Sequence, residues 1–232
     1  MHKISIPDSV IAQIMAQRGS LKRYDCLFGP MTALVVIDLQ NAFMLPGMPV
    51  EVPTACEIVP NVNTLAVATR AAGGKVVWVQ MSLEGQSEAW NVFFDSDYRR
   101  AILPHLTPGS RGFELHADLD VQPQDTIVVK TRYSAFIQGS SDLDRKLRDA
   151  GIDTVIIVGT LTNVCCESSA RDAMMLNYRV VFVADANAAL TDIEHNATLT
   201  AMLRVFGEVA TTDETIGLLS SKGQQKSQEK AA

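Results

Sequence analysis

The chain has 232 residues, 47% of them hydrophobic and 20% charged, which is enough for one large α/β core and short for two complete domains. A formal charge of −6 and a pI near 5.2, with no local Lys/Arg cluster, argue against a surface built to neutralise phosphates, so nucleic acid is not an expected partner. No apolar run approaches the roughly 20 residues of a membrane span, and the N-terminus lacks the apolar core of a signal peptide, so a soluble, cytoplasmic chain without a membrane partner is expected.

Cysteines at 26, 56, 165 and 166 have no metal-finger spacing, and no disulfide is expected. Pro7 opens a predicted helix with Val10, Ile11, Ile14 and Met15 at helical spacing, stopped near Gly19. Residues 1–29 read as an arm and linker that either covers its own subunit or reaches across to another, the second being slightly favoured. Ala33 to Ile37 is a continuous apolar run, hence a central strand, with Asp38 at its carboxyl end. Ligands bind just beyond the carboxyl ends of parallel strands, so Asp38 is placed for chemistry, although an Asp there also serves to cap a turn.

Four elements are expected next: a loop over Met44 to Pro53, a helix from Ile58 to Ala72 ended by Gly73-Gly74, a strand from Lys75 to Met81, and a polar, aromatic stretch from Ser82 to Tyr98 across the mouth of a pocket. His105 and His116, in a loop-rich segment, read as solvated. A third strand, Asp125 to Val129, leads to Lys130, which stands at a strand end as Asp38 does. A lone lysine there would snorkel to water, but an acid and a base at two strand ends of one sheet converge on one rim. Leu143 to Ala150 is a helix and Thr154 to Val158 a doubly buried strand.

A glycine and a few small or polar residues then lead to Cys165 at the start of a helix carrying Glu167, Ala170, Arg171 and Ala173. The first N–H groups of a helix have no internal partner and carry the positive end of its dipole, which biases a thiol toward thiolate and could hold an oxyanion. Position alone leaves Cys165 and Cys166 open to a second reading, as small buried hydrophobes. Tyr178 to Ala184 is a strand, Asp192 to Phe206 a helix with His195 on its surface or at an interface, Val209 to Ala210 a short strand and Asp213 to Leu219 a helix. Residues 220–232 form a polar tail with too little apolar content to fold.

Three ordered segments break the tie. Ala33-Leu-Val-Val-Ile-Asp38-Leu-Gln-Asn-Ala-Phe43, Val129-Lys130-Thr-Arg-Tyr133-Ser-Ala-Phe136 and Thr162-Asn163-Val164-Cys165 with Glu167-Ser168 and Arg171-Asp172-Ala173 resemble the isochorismatase-like cysteine hydrolases, most closely their ureidoacrylate amidohydrolase branch. The resemblance covers residues 30–219 and implies a three-layer α-β-α fold around a mostly parallel six-stranded sheet. It implies a catalytic triad of Asp38, Lys130 and Cys165, a cis bond between Leu161 and Thr162 with backbone of Leu161, Thr162 and Cys165 around an oxyanion, and substrate contacts at Asn91 and Tyr133; Gln80, on the same rim, and Phe43 are further candidate contacts. Cys166 reads as packing. Related nicotinamidases hold a metal through an Asp-x-His segment; none follows Val79, so no metal and no cofactor is expected. The implied activity is cleavage of a C–N bond in a small linear amide or ureido compound by a homo-oligomer, dimer or tetramer. An isochorismatase-type vinyl ether hydrolase and a non-catalytic binding member are the alternatives.

Overall fold

Period-two alternation in a strand buried on both sides sends successive side chains into two separate cores, and this is how the sheet of the protein is built. In strand β2 (Thr32–Ile37) every residue is buried; Leu34 and Val36 join one apolar cluster while Ala33, Val35 and Ile37 join the other. The computed structural model describes residues 1–85 and 96–220. Six strands lie in the order β4 (Thr126–Lys130), β3 (Lys75–Met81), β2, β5 (Thr154–Thr160), β6 (Arg179–Ala188) and β7 (Glu208–Ala210), and all five pairings are parallel. The expected three-layer parallel architecture is therefore present, without an antiparallel strand in the main sheet.

Helix α3 (Val59–Ala71) and α8 (Thr212–Leu218) cover the first face; α5 (Leu143–Asp149) and α6 (Glu167–Met175) cover the second. Helix α3 buries Val62, Leu65, Ala66 and Thr69, the stripe its sequence spacing predicts. Strand order reverses direction between β2 and β5, so the crevice beyond their carboxyl ends is the topological switch point. Gly159 lets these two strands meet: its φ is +123°, and a Cβ there would stand 2.1 Å from the carbonyl oxygen of Ile37, the residue before Asp38. The bulge beside it, where β5 shifts register on β6, is filled by Asn187, whose Nδ2 donates to Ile157 O and Val183 O at 3.0 and 2.7 Å.

Helix α1 (Asp8–Arg18) ends on Gly19 at φ 71° as expected. Val10 and Ile14 pack on Leu203, and Arg23 donates to the carbonyl oxygens of Leu203, Arg204 and Gly207. These carbonyls end helix α7 (Asp192–Ala201) and the wide turn Met202–Phe206 that continues it, where acceptors are left over for a cation. Four short elements went unread in the sequence: β1 (Leu27–Phe28) pairs with β8 (Leu219–Ser220), α2 (Asn41–Met44) follows the Asp38 segment, and α4 (Ser96–Ile102) begins in the last residues of the polar, aromatic stretch expected across the pocket mouth.

Candidate active site

Asp38 follows β2 in a left-handed conformation, φ 55°, while its N–H still donates to Val79 O at 2.9 Å. The ladder bond holds a non-glycine residue in a backbone region that is disfavoured by about 1–3 kcal/mol, a strain that concentrates at functional sites. Lys130 is the last residue of β4, in register with Met81 of β3. Its ammonium reaches across the end of β3 to stand 2.8 Å from Asp38 Oδ2 and 3.4 Å from Cys165 Sγ, and it also donates to Arg132 O at 3.1 Å and to Met81 Sδ at 3.4 Å. Both side chains of the ion pair are completely buried. The Asp38 carboxylate also stands within hydrogen-bonding reach of Cys165, where it would accept from the thiol.

Cys165 lies in a wide turn, Thr162–Cys166, that opens helix α6 after β5. Leu161 O accepts from both Val164 N and Cys166 N at 3.1 Å, a bifurcated start that pins the turn. The cis peptide bond is Thr160–Leu161, one residue earlier than the resemblance implies: it precedes Leu161, not Thr162. Thr162 Oγ1 is 3.0 Å from His195 Nδ1, so its hydroxyl is engaged behind the turn. His195 is fully buried and stacked on His2, ring centroids 4.4 Å apart. That corrects the expectation of a surface or interface histidine: the α7 face it occupies is closed by the N-terminal residues, and burial pulls its pKa down to about 4, so the ring is neutral at pH 7.

The electrostatics of the three groups follow from their burial. Desolvation pushes the Cys165 thiol up to about 12, Lys130 lowering it and Asp38 raising it. Burial thus works against the bias toward thiolate that a helix start gives. Desolvation also raises Asp38, against the lowering effect of Lys130. Burial acts to lower Lys130, but the charges of Asp38 and Cys165 outweigh it and its pKa is raised. The arrangement is a protonated sulfur beside a carboxylate of raised basicity, both in contact with a fixed ammonium.

Above the sulfur is a cavity of about 280 Å³, walled by Phe43, Val50, Val52, Leu83, Leu106 and Leu161 among others. The ionisable side chains lining it, among the described residues, are Glu51, Tyr98, Tyr133 and Cys165. Phe43 and Tyr133 thus line the cavity, whereas Gln80 does not: its Nε2 donates to Phe113 O at 2.7 Å. Asn91 lies outside the described residues. Gln40, to which sequence reasoning assigned no role, clamps the rim, with Nε2 donating to Met81 O and Phe113 O and Oε1 accepting from Met81 N at 2.7 Å. The signal was its place in the Asp38-Leu-Gln-Asn segment. Cys166 is buried in the second core among apolar neighbours. His105 and His116 are partly buried, and no group of three metal-ligating side chains occurs among the described residues.

An isochorismatase domain model matches residues 32–214, the span that holds all six strands of the main sheet and the buried cluster of Asp38, Lys130 and Cys165. The chain belongs to the isochorismatase family. Ureidoacrylate amidohydrolase RutB of Agrobacterium fabrum is 33% identical over 218 residues, covering 82% of this chain and 90% of that protein. Among solved structures, a cysteine hydrolase from Pseudomonas syringae pv. phaseolicola superposes with a TM-score of 0.78 at 30% identity, covering 86% of this chain and 97% of the other. N-carbamoylsarcosine amidase from Thermoplasma acidophilum superposes with a TM-score of 0.65 at 28% identity, covering 78% and 96%. This isochorismatase-family chain therefore has cysteine hydrolase and amidohydrolase relatives.

Proposed function

We propose that the protein hydrolyses the C–N bond of a small linear amide or ureido compound through a thioester, with Cys165 as nucleophile, Asp38 as proton carrier and Lys130 as the fixed positive charge. The observation that carries this reading is the contact of one buried ammonium with both the carboxylate and the sulfur, at 2.8 and 3.4 Å, at the floor of a cavity. Asp38 takes the thiol proton as sulfur attacks the carbonyl carbon. Because the thiol sits near 12, transfer accompanies attack instead of preceding it, and Lys130 offsets the negative charge wherever it resides. Val164 N and Cys166 N are engaged by Leu161 O, so the backbone N–H groups offered to the tetrahedral oxyanion are those of Thr162 and Cys165. Asp38 returns the proton to the departing nitrogen, leaving the acyl group on sulfur. It then takes a proton from water as water attacks the thioester, and the sulfur leaves and is reprotonated.

The test is a panel of carboxamides, N-carbamoyl compounds and isochorismate, read for ammonia or other product release, with mass spectrometry of the quenched enzyme for an acyl adduct on Cys165. Cys165→Ala is expected to lose turnover and keep its near-UV spectrum. Turnover of isochorismate alone, undiminished in Cys165→Ala, would replace the amidohydrolase reading with vinyl ether hydrolysis.

A further inference from the structure

A pocket that takes a charged substrate supplies a countercharge, because an ion moved into an apolar wall without one is strongly disfavoured. The cavity over Cys165 supplies none for an anion. No Lys, Arg or His lines it among the described residues, and residues 86–95, outside them, contain no such side chain. Lys130, the nearby cation, is buried behind the sulfur and already donates to Asp38, Arg132 O and Cys165. Among the described residues the one acid on the wall is Glu51, held in place by Gly47 N, which donates to its Oε2 at 2.7 Å. The whole chain is acidic as well, so its field does not gather anions.

We propose that this site selects an uncharged substrate, a carboxamide or N-carbamoyl compound bearing a hydrocarbon group, and excludes compounds with a carboxylate at the far end. This rests on the hydrolase reading and sharpens it, setting the chain apart from enzymes that process carboxylate-bearing ureido compounds. The amide group meets Cys165 and the backbone of its turn, and the hydrocarbon lies against Phe43, Val50, Val52, Leu83 and Leu106. A cavity of about 280 Å³ has room for a side group of a few carbons or one ring.

Two matched pairs test the proposal: hexanamide against adipamate, and n-butylurea against N-carbamoyl-γ-aminobutyrate. In each pair a methyl group is exchanged for a carboxylate. The uncharged member is expected to show kcat/KM larger by at least about 100-fold, and Glu51→Gln is expected to narrow that ratio about tenfold. Equal or better turnover of the carboxylates overturns the proposal, and a ratio unchanged in Glu51→Gln overturns the part given to Glu51. Binding of the same pairs to the Cys165→Ala protein, followed by ligand-observed NMR, separates this inference from the hydrolase reading. If the wild type hydrolyses neither pair, the hydrolase reading fails for these compounds while selective binding of the uncharged members upholds the pocket chemistry; equal binding, or none, removes it.

Discussion

Replacing Lys130 with Met keeps the volume and deletes the charge, which isolates the electrostatic role of the ammonium. Unit charges 2.8 Å apart at an effective dielectric constant of ~20 attract by about 6 kcal/mol. The net loss is smaller, because the pair also gave up hydration; removing one partner of a buried pair costs about 3–5 kcal/mol. Protonation limits that loss. Burial already raises the Asp38 carboxyl, and without Lys130 nothing comparable lowers it. An acid with a raised folded pKa binds more protons folded than unfolded, so stability falls as pH climbs above the unfolded value near 3.9. At 1.36 kcal/mol for each pH unit, the deficit of Lys130→Met relative to the wild type is expected to be no more than about 1.5 kcal/mol at pH 5 and about 3–5 kcal/mol at pH 8. Urea denaturation at the two pH values measures it. Turnover should fall by about 10³-fold or more, since Asp38 then holds its own proton and cannot take one from sulfur. The double variant Asp38→Asn/Lys130→Met should regain most of the stability and none of the activity. A deficit independent of pH, or kcat/KM within tenfold of the wild type, would refute the reasoning.

In a Cys56→Ser background, alkylation of Cys165 by iodoacetamide is expected to be slow at pH 7 and to climb without a plateau to at least pH 10, because its thiol lies near 12; a plateau near neutrality, read by peptide mass spectrometry, would contradict the buried neutral thiol. Cys166→Val should retain most activity and fold, since this cysteine is fully buried in the second core; loss of turnover with an intact near-UV spectrum would shift the nucleophile. Gly159→Ala should cost several kcal/mol and most of the activity, because a Cβ there meets the Ile37 carbonyl at 2.1 Å and pushes apart the strands that end in Asp38 and the cysteine turn. Arg70→Ala should lower stability by about 2–4 kcal/mol and leave kcat/KM unaltered: Arg70 pairs with Asp120 and Asp125 at 2.6 Å far from the sulfur, and because Asp125 is held below its usual range by Arg70 and Trp78 despite burial, the wild-type advantage should shrink as pH falls.

What the sequence exposes and what it hides divide along physical lines. Strands Lys75–Met81 and Thr154–Thr160 each carry an unbroken apolar run, Val76 to Val79 and Val155 to Val158, and that pattern marks a doubly covered parallel strand without any knowledge of its neighbours. The three site residues are legible because strand ends in a parallel sheet share one rim, and three spaced motifs point to them together. Helix α4 was hidden because its charged SDYRRAI sequence buries little beyond Ile102, so no apolar period announces it. Burial of the sulfur and of His195 depends on what packs above them. For His195 that is a residue 193 positions earlier, His2, and no local pattern can report it. Gln80 illustrates the same limit: its amide is claimed by the backbone of Phe113, a loop residue whose approach is not written near either position.

Lys130 is separated from the Asp38 strand by the whole of β3, so its charge must cross about two inter-strand spacings, close to 10 Å, before it can meet a carboxylate. Few side chains have that span. Histidine is too short, and arginine would carry a broad planar fork into a slot that receives a single amine over Met81. The pleated framework therefore acts as a ruler that selects the length of the cation, and a descendant that moved this duty to another residue type would first have to reorder its strands.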